Sequence, residues 1–320
     1  MKTIFLLVVL LISTAFAAPK HAGVIVKIKG KGELFVKPKK GLPQVLFEGR
    51  VYSAQKIKLG LKVRPGDIIR TNNKSKLRIV YKNGDQVTVG PATAYQIKDL
   101  NLAKGGKTGI KLMYGAIRSV ISKDGPRTGM KVETRTAAMG VRGTDFFIAQ
   151  RGSSGNSQVA VIRGEVEVEP KVKKKTAQAK PAKKIKVKTG YTAAINESKK
   201  GKKKVKAKVA RTTKKDLVKI QMSSVIKKSE ETQKAETAEV KKELAQLEKK
   251  ASEGVLKDIK KYDKNLYNKI KKSKIRSVEA LNTVAVKKVY RKAPDGKSVI
   301  DAEGTDVIEG AYDAYFGIEE

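Results

Sequence analysis

Residues 77–89 read LRIVYKNGDQVTV. Leu77, Ile79 and Tyr81 lead into Asn83-Gly84, the strongest short-range hairpin signal, because tight hairpin turns need positive φ and Asn and Gly tolerate it. Val87 and Val89 lead out of the turn, and Pro91, which has no N–H for a ladder, closes the second strand. The same two-residue period recurs on either side. Val24, Val26 and Ile28 alternate with charged or small partners, and Ile57, Leu59, Leu61 and Val63 alternate with Lys56, Lys58, Gly60 and Lys62. Further strands are expected at residues 110–114, 116–121, 132–136 and 145–149, then at 159–162 and 166–168 joined across Arg163-Gly164. Short strands with Gly-containing turns at this spacing predict an all-β sandwich or barrel-like domain over residues 22–198.

A change of composition interrupts that domain. Residues 171–184 (KVKKKTAQAKPAKK) have no apolar period and read as a disordered loop inserted between two strands. Strand character resumes over residues 185–195 around Thr189-Gly190, and a second lysine run follows in a basic linker, residues 199–212. Residues 171–215 hold nineteen basic residues against the single acid Glu197, close to half of the net charge of +40. The period then becomes helical over residues 213–294. Thr213 and Asp216 have the spacing of a capping box, with Asp in place of Glu or Gln. Val240, Leu244, Leu247 and Ala251 form an apolar stripe that Leu256, Ile259, Leu266 and Ile270 continue beyond Gly254, as expected of a core-facing amphipathic helix. The expected architecture is therefore an all-β domain followed by a mostly α-helical C-terminal region. Residues 295–320 reverse the charge, with eight acids and Lys297 as the only base. Val307, Ile308, Ala311, Tyr312, Tyr315 and Phe316 share a helical face there, suited to docking on the protein's own surface or on a partner.

The N-terminus has the form of an export signal. Met1-Lys2 is a minimal positive region, residues 4–12 are an unbroken apolar run, and Ala15-Phe16-Ala17 gives the small-x-small cleavage pattern. The run is short for a bilayer span of roughly 20 residues. A cleaved signal peptide over residues 1–17 is expected, with an uncleaved anchor as the alternative. The mature chain is then periplasmic or secreted, with no later transmembrane span and no lipobox cysteine. Cysteine is absent and His21 is the only histidine. Disulfides, Cys-His and Ser-His-Asp chemistry and a His-rich zinc site are thereby excluded. No paired carboxylates stand out for acid–base work. Gly105-Gly106-Lys107-Thr108 lacks the first glycine of a phosphate loop, since Asn101 stands at that position. The expectation is a non-enzymatic protein with no catalytic residue, metal or cofactor.

Four stretches in order resemble the FecR domain, over roughly residues 22–195. They are the turn Arg64-Pro65-Gly66-Asp67-Ile68-Ile69-Arg70-Thr71, the hairpin at Asn83-Gly84, the run Val141-Arg142-Gly143-Thr144-Asp145-Phe146, and the closing turns at Arg163-Gly164-Glu165 and Lys188-Thr189-Gly190-Tyr191. The family usually has Asp-Gly at the hairpin and Gln where Tyr191 stands. Physically these motifs are a folding recipe. Gly66, Gly84, Gly143, Gly164 and Gly190 sit between strands where a Cβ is unwelcome, Asp67 and Thr71 can bond their own turn backbones, and Thr144 belongs to the same structural motif set. Arg142 calls for a fixed partner, and Asp145 is a candidate. The resemblance implies an extracytoplasmic β-domain used for recognition. The family's namesake relays an iron-uptake signal through a cytoplasmic segment and a membrane span. This N-terminus reads instead as a signal peptide, so that relay is not expected here.

The expected function is recognition or scaffolding, with an envelope protein or an anionic envelope polymer or lipid as partner. The lysines expected to meet it are Lys173, Lys174, Lys175, Lys183, Lys184, Lys199, Lys200, Lys202, Lys203 and Lys204. Only thirteen of the seventy-one basic residues are Arg, and lysine suits diffuse attraction more than bidentate readout. The plain alternative is that the runs keep their segments solvated. Nonspecific nucleic-acid or polyanion binding is a further alternative, without aromatic residues among the lysines to stack on bases. A FecR-like signalling accessory is another. Oligomeric state is left open.

Overall fold

The computed structural model describes residues 22–81, 84–100, 107–122, 129–152, 154–171, 183–197, 205–226, 235, 237–273 and 275–300. The expected signal peptide, most of both lysine runs, Asn83 and the amphipathic face within residues 307–316 lie outside them. The first strands are β1 (Gly23–Lys29), β2 (Gly32–Val36), β3 (Gln44–Phe47), β4 (Arg50–Lys56), β5 (Lys62–Val63) and β6 (Ile68–Thr71). Then come β7 (Lys76–Tyr81), β8 (Gln86–Val89), β9 (Ala94–Leu100), β10 (Lys107–Val120), β11 (Gly129–Glu133) and β12 (Ala137–Val141). The last six are β13 (Asp145–Gln150), β14 (Ser157–Arg163), β15 (Glu165–Pro170), β16 (Ile185–Lys188), β17 (Tyr191–Glu197) and β18 (Val205–Arg211). Four helices follow: α1 (Lys214–Ser224), α2 (Ala238–Tyr262), α3 (Lys264–Lys272) and α4 (Val278–Tyr290).

The strands make two faces of one open sheet system. The first sheet runs β5-β1-β7-β8-β10-β13-β14-β17-β18, and the second β3-β4-β2-β6-β9-β10-β11-β12-β15-β16. Among the described residues, every pairing is antiparallel except β10 with β11. The system does not close into a barrel, and with 45% strand against 25% helix it is sheet-dominated. β10 belongs to both sheets. The expected strands at residues 110–114 and 116–121 are its two halves, turned from one layer to the other at Gly115. Gly115 has φ +86°, and a Cβ there would lie 2.2 Å from Thr93 Oγ1. Only glycine makes this corner without moving the β8–β9 connection.

Between the sheets lies the main core. Ile25, Leu77, Ile79, Phe146, Ile148 and Val159 of the first sheet meet Leu34, Ile69, Ile97, Leu112, Val132 and Val166 of the second. Each such side chain, taken fully out of water, contributes about 1.5–3 kcal/mol of transfer free energy. The outer face of the second sheet is wet toward β15, where Glu165, Glu167 and Glu169 alternate with Val166 and Val168. It is apolar toward β2, β6 and β9, where Phe35, Ile68, Ala94 and Met113 are buried with Phe47 and Tyr52 packed against them. The first sheet has no wet face in its middle. Phe147, Ala149, Ala160 and Ile162 point away from the sandwich and pack under Leu217, Ile220 and Val286 of α1 and α4. Val24, Val26 and Val80 pack under Leu244 and Ala251 of α2. The molecule is thus three layers, sheet on sheet on helices, and the continuous apolar runs of β13 and β14 belong to strands covered on both sides.

α2 runs unbroken through Gly254, so the stripe from Val240 to Ile259 is one helix, and Leu266 and Ile270 continue it on α3. Several stretches differ from the sequence reading, among them the strand expected at residues 132–136, which is β11 (Gly129–Glu133) and ends before Thr134. Residues 57–61 are not strand, although Ile57 and Val63 are buried as their alternation predicts. Gly60 has φ +78° and the segment bonds β1 irregularly, through Gly60 N–H to Ile25 O and Ile25 N–H to Leu61 O. Within the expected basic linker, β18 pairs along the whole of β17 and forms the edge of the first sheet.

Candidate functional site

The turns between strands sort the domain into two ends. At one end the turns of the recognised motifs cluster. Thr144 Oγ1 donates to Glu165 O at 3.0 Å, Gly190 N–H to Val161 O at 2.8 Å, and Thr189 Oγ1 to Gly164 O at 3.1 Å. Gly164 has φ +90°, and a Cβ there would come within 2.8 Å of Gly143 O. The helical layer touches the same turns: Tyr262 Oη of α2 donates to Gly143 O at 3.2 Å, and Thr212 N–H, just before α1, to Gly190 O at 2.9 Å. The motif glycines Gly66, Gly84, Gly143, Gly164 and Gly190 all have positive φ, as a turn role requires.

Asp67 behaves as expected: its Oδ2 accepts from Arg64 N–H at 2.8 Å within its own turn. Burial outweighs that bond and the charge of Arg64, and pushes the Asp67 carboxyl up to about 6. A folded-state value above the unfolded value of about 3.9 means that the native state holds the proton more tightly. This group therefore opposes folding above about pH 6 and ceases to do so below about pH 4. Asp67→Asn keeps an acceptor for Arg64 N–H. The variant is expected to match or exceed the parent in stability at pH 7, and to lose the part of the pH dependence between about 4 and 6 that Asp67 contributes. Urea unfolding across that range checks it; an identical slope in both proteins would refute it. Thr71 differs from the reading: its hydroxyl donates across to Gly90 O at 2.6 Å and accepts from Thr93 N–H at 3.0 Å, tying β6 to the β8–β9 connection.

The proposed partnership of Arg142 with Asp145 does not form. Arg142 is exposed, and Asp145 is buried and held by Arg118, with Nε to Oδ1 at 2.9 Å and Nη2 to Oδ2 at 2.8 Å. Arg118 Nη1 also donates to Gln221 Oε1 of α1, and Nη2 to Asn282 O of α4. The same theme repeats over the outer face of the first sheet. Arg78 pairs with Glu248 of α2 and Glu279 of α4, Lys27 with Glu279, and Arg163 with Asp258 of α2. Burial alone would raise the Glu279 carboxyl, but Arg78 and Lys27 hold it below the usual carboxylate range. These bonds fasten the helical layer to the β-sandwich.

At the other end, the strand ends that flank the lysine runs come together. Pro170 of β15 pairs with Ala137, and Lys171 N–H bonds Thr136 O at 2.7 Å. Thr136 Oγ1 donates to Gly155 O, Ser157 pairs with Ile195 across β14 and β17, and Glu197 pairs with Val205 across β17 and β18. The two runs are thus launched from neighbouring points of one end, although other strands separate them in sequence. Of the ten lysines expected to meet a partner, Lys173, Lys174, Lys175, Lys199, Lys200, Lys202, Lys203 and Lys204 lie outside the described residues. Lys183 is exposed, and Lys184 bridges to Glu167 at 2.7 Å. Lys186, Lys188, Lys206 and Lys208, which sequence reading did not single out, are exposed on the adjoining edge strands β16 and β18. Their alternation with Val187, Val205 and Ala207 was the available signal. Glu133 lies at the same end: burial would raise its carboxyl, but Lys131, Lys171 and Lys98 bring it down to about 2.

Among the described residues, no group of three or more His, Asp or Glu side chains could hold a metal ion, and no helix is long and apolar enough to cross a membrane. No curated protein matches the chain. Two crystal structures of a protein from Parabacteroides distasonis, provisionally described as an anti-sigma factor, resemble it at 16% identity and a TM-score of 0.38. The likeness covers 48% of this chain and 64% of that one, so this chain spans less than two thirds of its neighbour's length. The family model described as FecR protein matches residues 67–167, from the Gly66-Asp67 turn to the alternating glutamates of β15. Over residues 67–167 this chain therefore carries a FecR domain.

Proposed function

We propose that the chain is a non-enzymatic, exported recognition module that meets an anionic envelope component through the lysine-bearing end of its β-sandwich. What supports the reading is that both lysine-rich connections, residues 172–182 and 198–204, start and finish at strand ends gathered at that one end. A concentrated positive end attracts a polyanion far more strongly than the same charge spread over the surface. A periplasmic or secreted location fits the reading, and anionic phospholipid is the simplest probe of it.

The test replaces Lys173, Lys174, Lys175 and Lys180 by Gln in one variant, and Lys199, Lys200, Lys202, Lys203 and Lys204 in another. Cosedimentation with vesicles of mixed zwitterionic and anionic phospholipid, at physiological salt, is expected to weaken several-fold in each and at least tenfold in the combination. The thermal midpoint should stay unchanged, because the substitutions remove charge and no apolar side chain. Undiminished vesicle binding by the combined variant would overturn the reading. Binding to short DNA in the same variants measures the nonspecific polyanion alternative, which salt suppresses steeply.

A further inference from the structure

A slot of about 380 Å³ opens beside the clustered turns, at the end of the domain opposite the strand ends that flank the lysine runs. The β14–β15 and β16–β17 turns form one wall, and α2 and α4 the other. Its floor is aliphatic, from Ile162, Ile259, Leu266 and Val289. Tyr191 and Tyr262 line it and are each 40% exposed, although both are large rings. Its charged lining is mainly cationic. Arg163, Arg211, Lys288 and Lys292 stand against the single carboxylate Asp263, which Lys288 already engages.

Arg163 marks where a ligand's charge would go. It is 8% exposed, and its Nη2 donates to Asp258 at 3.1 Å. Its Nε and Nη1 are buried and have no hydrogen-bond partner. Buried guanidinium nitrogens are rarely left this way, because their lost hydration is uncompensated. Arg163 lines the slot, so its positive charge adds to that of Arg211, Lys288 and Lys292 along the wall.

We propose that this slot is a binding site for a small amphipathic anion: an aliphatic body of roughly a dozen non-hydrogen atoms, at ~30 Å³ each, carrying a carboxylate or phosphate-ester head. The body covers Ile259, Leu266 and Val289 and slides beneath the two tyrosine rings. The head meets the combined positive potential of Arg163, Lys292 and Arg211. A free inorganic anion would leave the aliphatic floor wet, and a neutral hydrocarbon would leave the cationic lining without a counter-charge. Both halves of the ligand are therefore needed.

Titration calorimetry of the full chain with decanoate tests this in about 0.3 M sodium chloride, where the screening length is well under 10 Å and diffuse attraction to lysine is suppressed. One-to-one binding is expected, with acetate and 1-octanol at least tenfold weaker. Octyl phosphate, titrated in parallel, shows which head the site prefers. Val289→Trp fills the slot from α4 and should abolish binding of decanoate. Arg163→Gln should bring decanoate down to the affinity of 1-octanol; should it fail to fold, Lys292→Glu at the exposed rim should still weaken decanoate several-fold. The combined lysine-run variant described above should bind decanoate undiminished, which separates this site from the proposed polyanion end. Binding at many sites, or binding that survives Val289→Trp in a folded protein, would overturn the assignment.

Discussion

Arg118→Ala is expected to destabilise the protein by about 3–5 kcal/mol, the cost of breaking one partner out of a buried ion pair. Arg118 sits on β10 and is 2% exposed. It holds both oxygens of Asp145 on the neighbouring strand, and it reaches Gln221 on α1 and the Asn282 carbonyl on α4. Its removal strands a buried carboxylate and two acceptors at the seam between sheet and helices. Against a total stability of 5–15 kcal/mol for typical domains, that is a large fraction. A fall in thermal midpoint of roughly 6–20 °C is expected. The paired variant Arg118→Met with Asp145→Leu provides the internal control. It removes both charges and fills the space, so it should recover most of the loss. If the single variant unfolds within 1 kcal/mol of the parent in urea, Arg118 does not pin the layers. If the double variant is no better than the single, the loss comes from packing and not from the stranded charge.

The sandwich was legible because its strands carry their own signals. The hairpin of β7 and β8, the alternating β15 and the turn glycines all stand in the sequence where the structure uses them. What hid the rest was tertiary context. β12 (Ala137–Val141) is built from small residues with no clear alternation, and it is a strand because β11 and β15 flank it. β18 alternates Val205, Ala207 and Val209 with lysines, but the surrounding lysine run disguised that period as linker. Residues 57–61 show the converse. Packing alone imposes alternate burial there, without a ladder. The seam was hidden for a different reason: an arginine inside an apolar strand looks like an ordinary exposed position. Arg78 in LRIVY and Arg118 in AIRSV betray themselves only through context, since the same sheet carries Phe147 and Ile162 on the outward face. A strand that is apolar on both faces has a second layer above it, and a cation on that face must find its partner in the layer. Arg142, inside the most specific motif, was the more conspicuous arginine and is the exposed one.

Asp216 carries the second large effect, and it separates a helix cap from a tertiary anchor. Its side chain closes the capping box at the start of α1, with Oδ2 accepting from Thr213 N–H at 2.9 Å and from Thr213 Oγ1 at 2.8 Å. Oδ1 accepts from Val299 N–H at 2.7 Å, Ile300 N–H at 2.9 Å and Ser298 Oγ at 2.8 Å. One fully buried carboxylate thus satisfies donors from two segments far apart in the chain, and its charge lies at the positive end of the helix. Were it only a cap, Asp216→Ala would cost about 0.5–2 kcal/mol. Because the substitution also orphans the backbone donors of Val299 and Ile300, about 3–5 kcal/mol is expected. The two accounts also differ in where the loss falls. A lost cap frays α1 alone. A lost anchor frees residues 298–300, withdraws Ile300 from beside Leu217 and Val286, and exposes Lys297 to trypsin. Amide exchange at Val299 and Ile300 should then accelerate at least a hundredfold while that of β13 and β14 changes only with global stability. Unaltered exchange at those two amides would show that the C-terminal segment is held by Ile300 packing, and that Asp216 serves α1 alone.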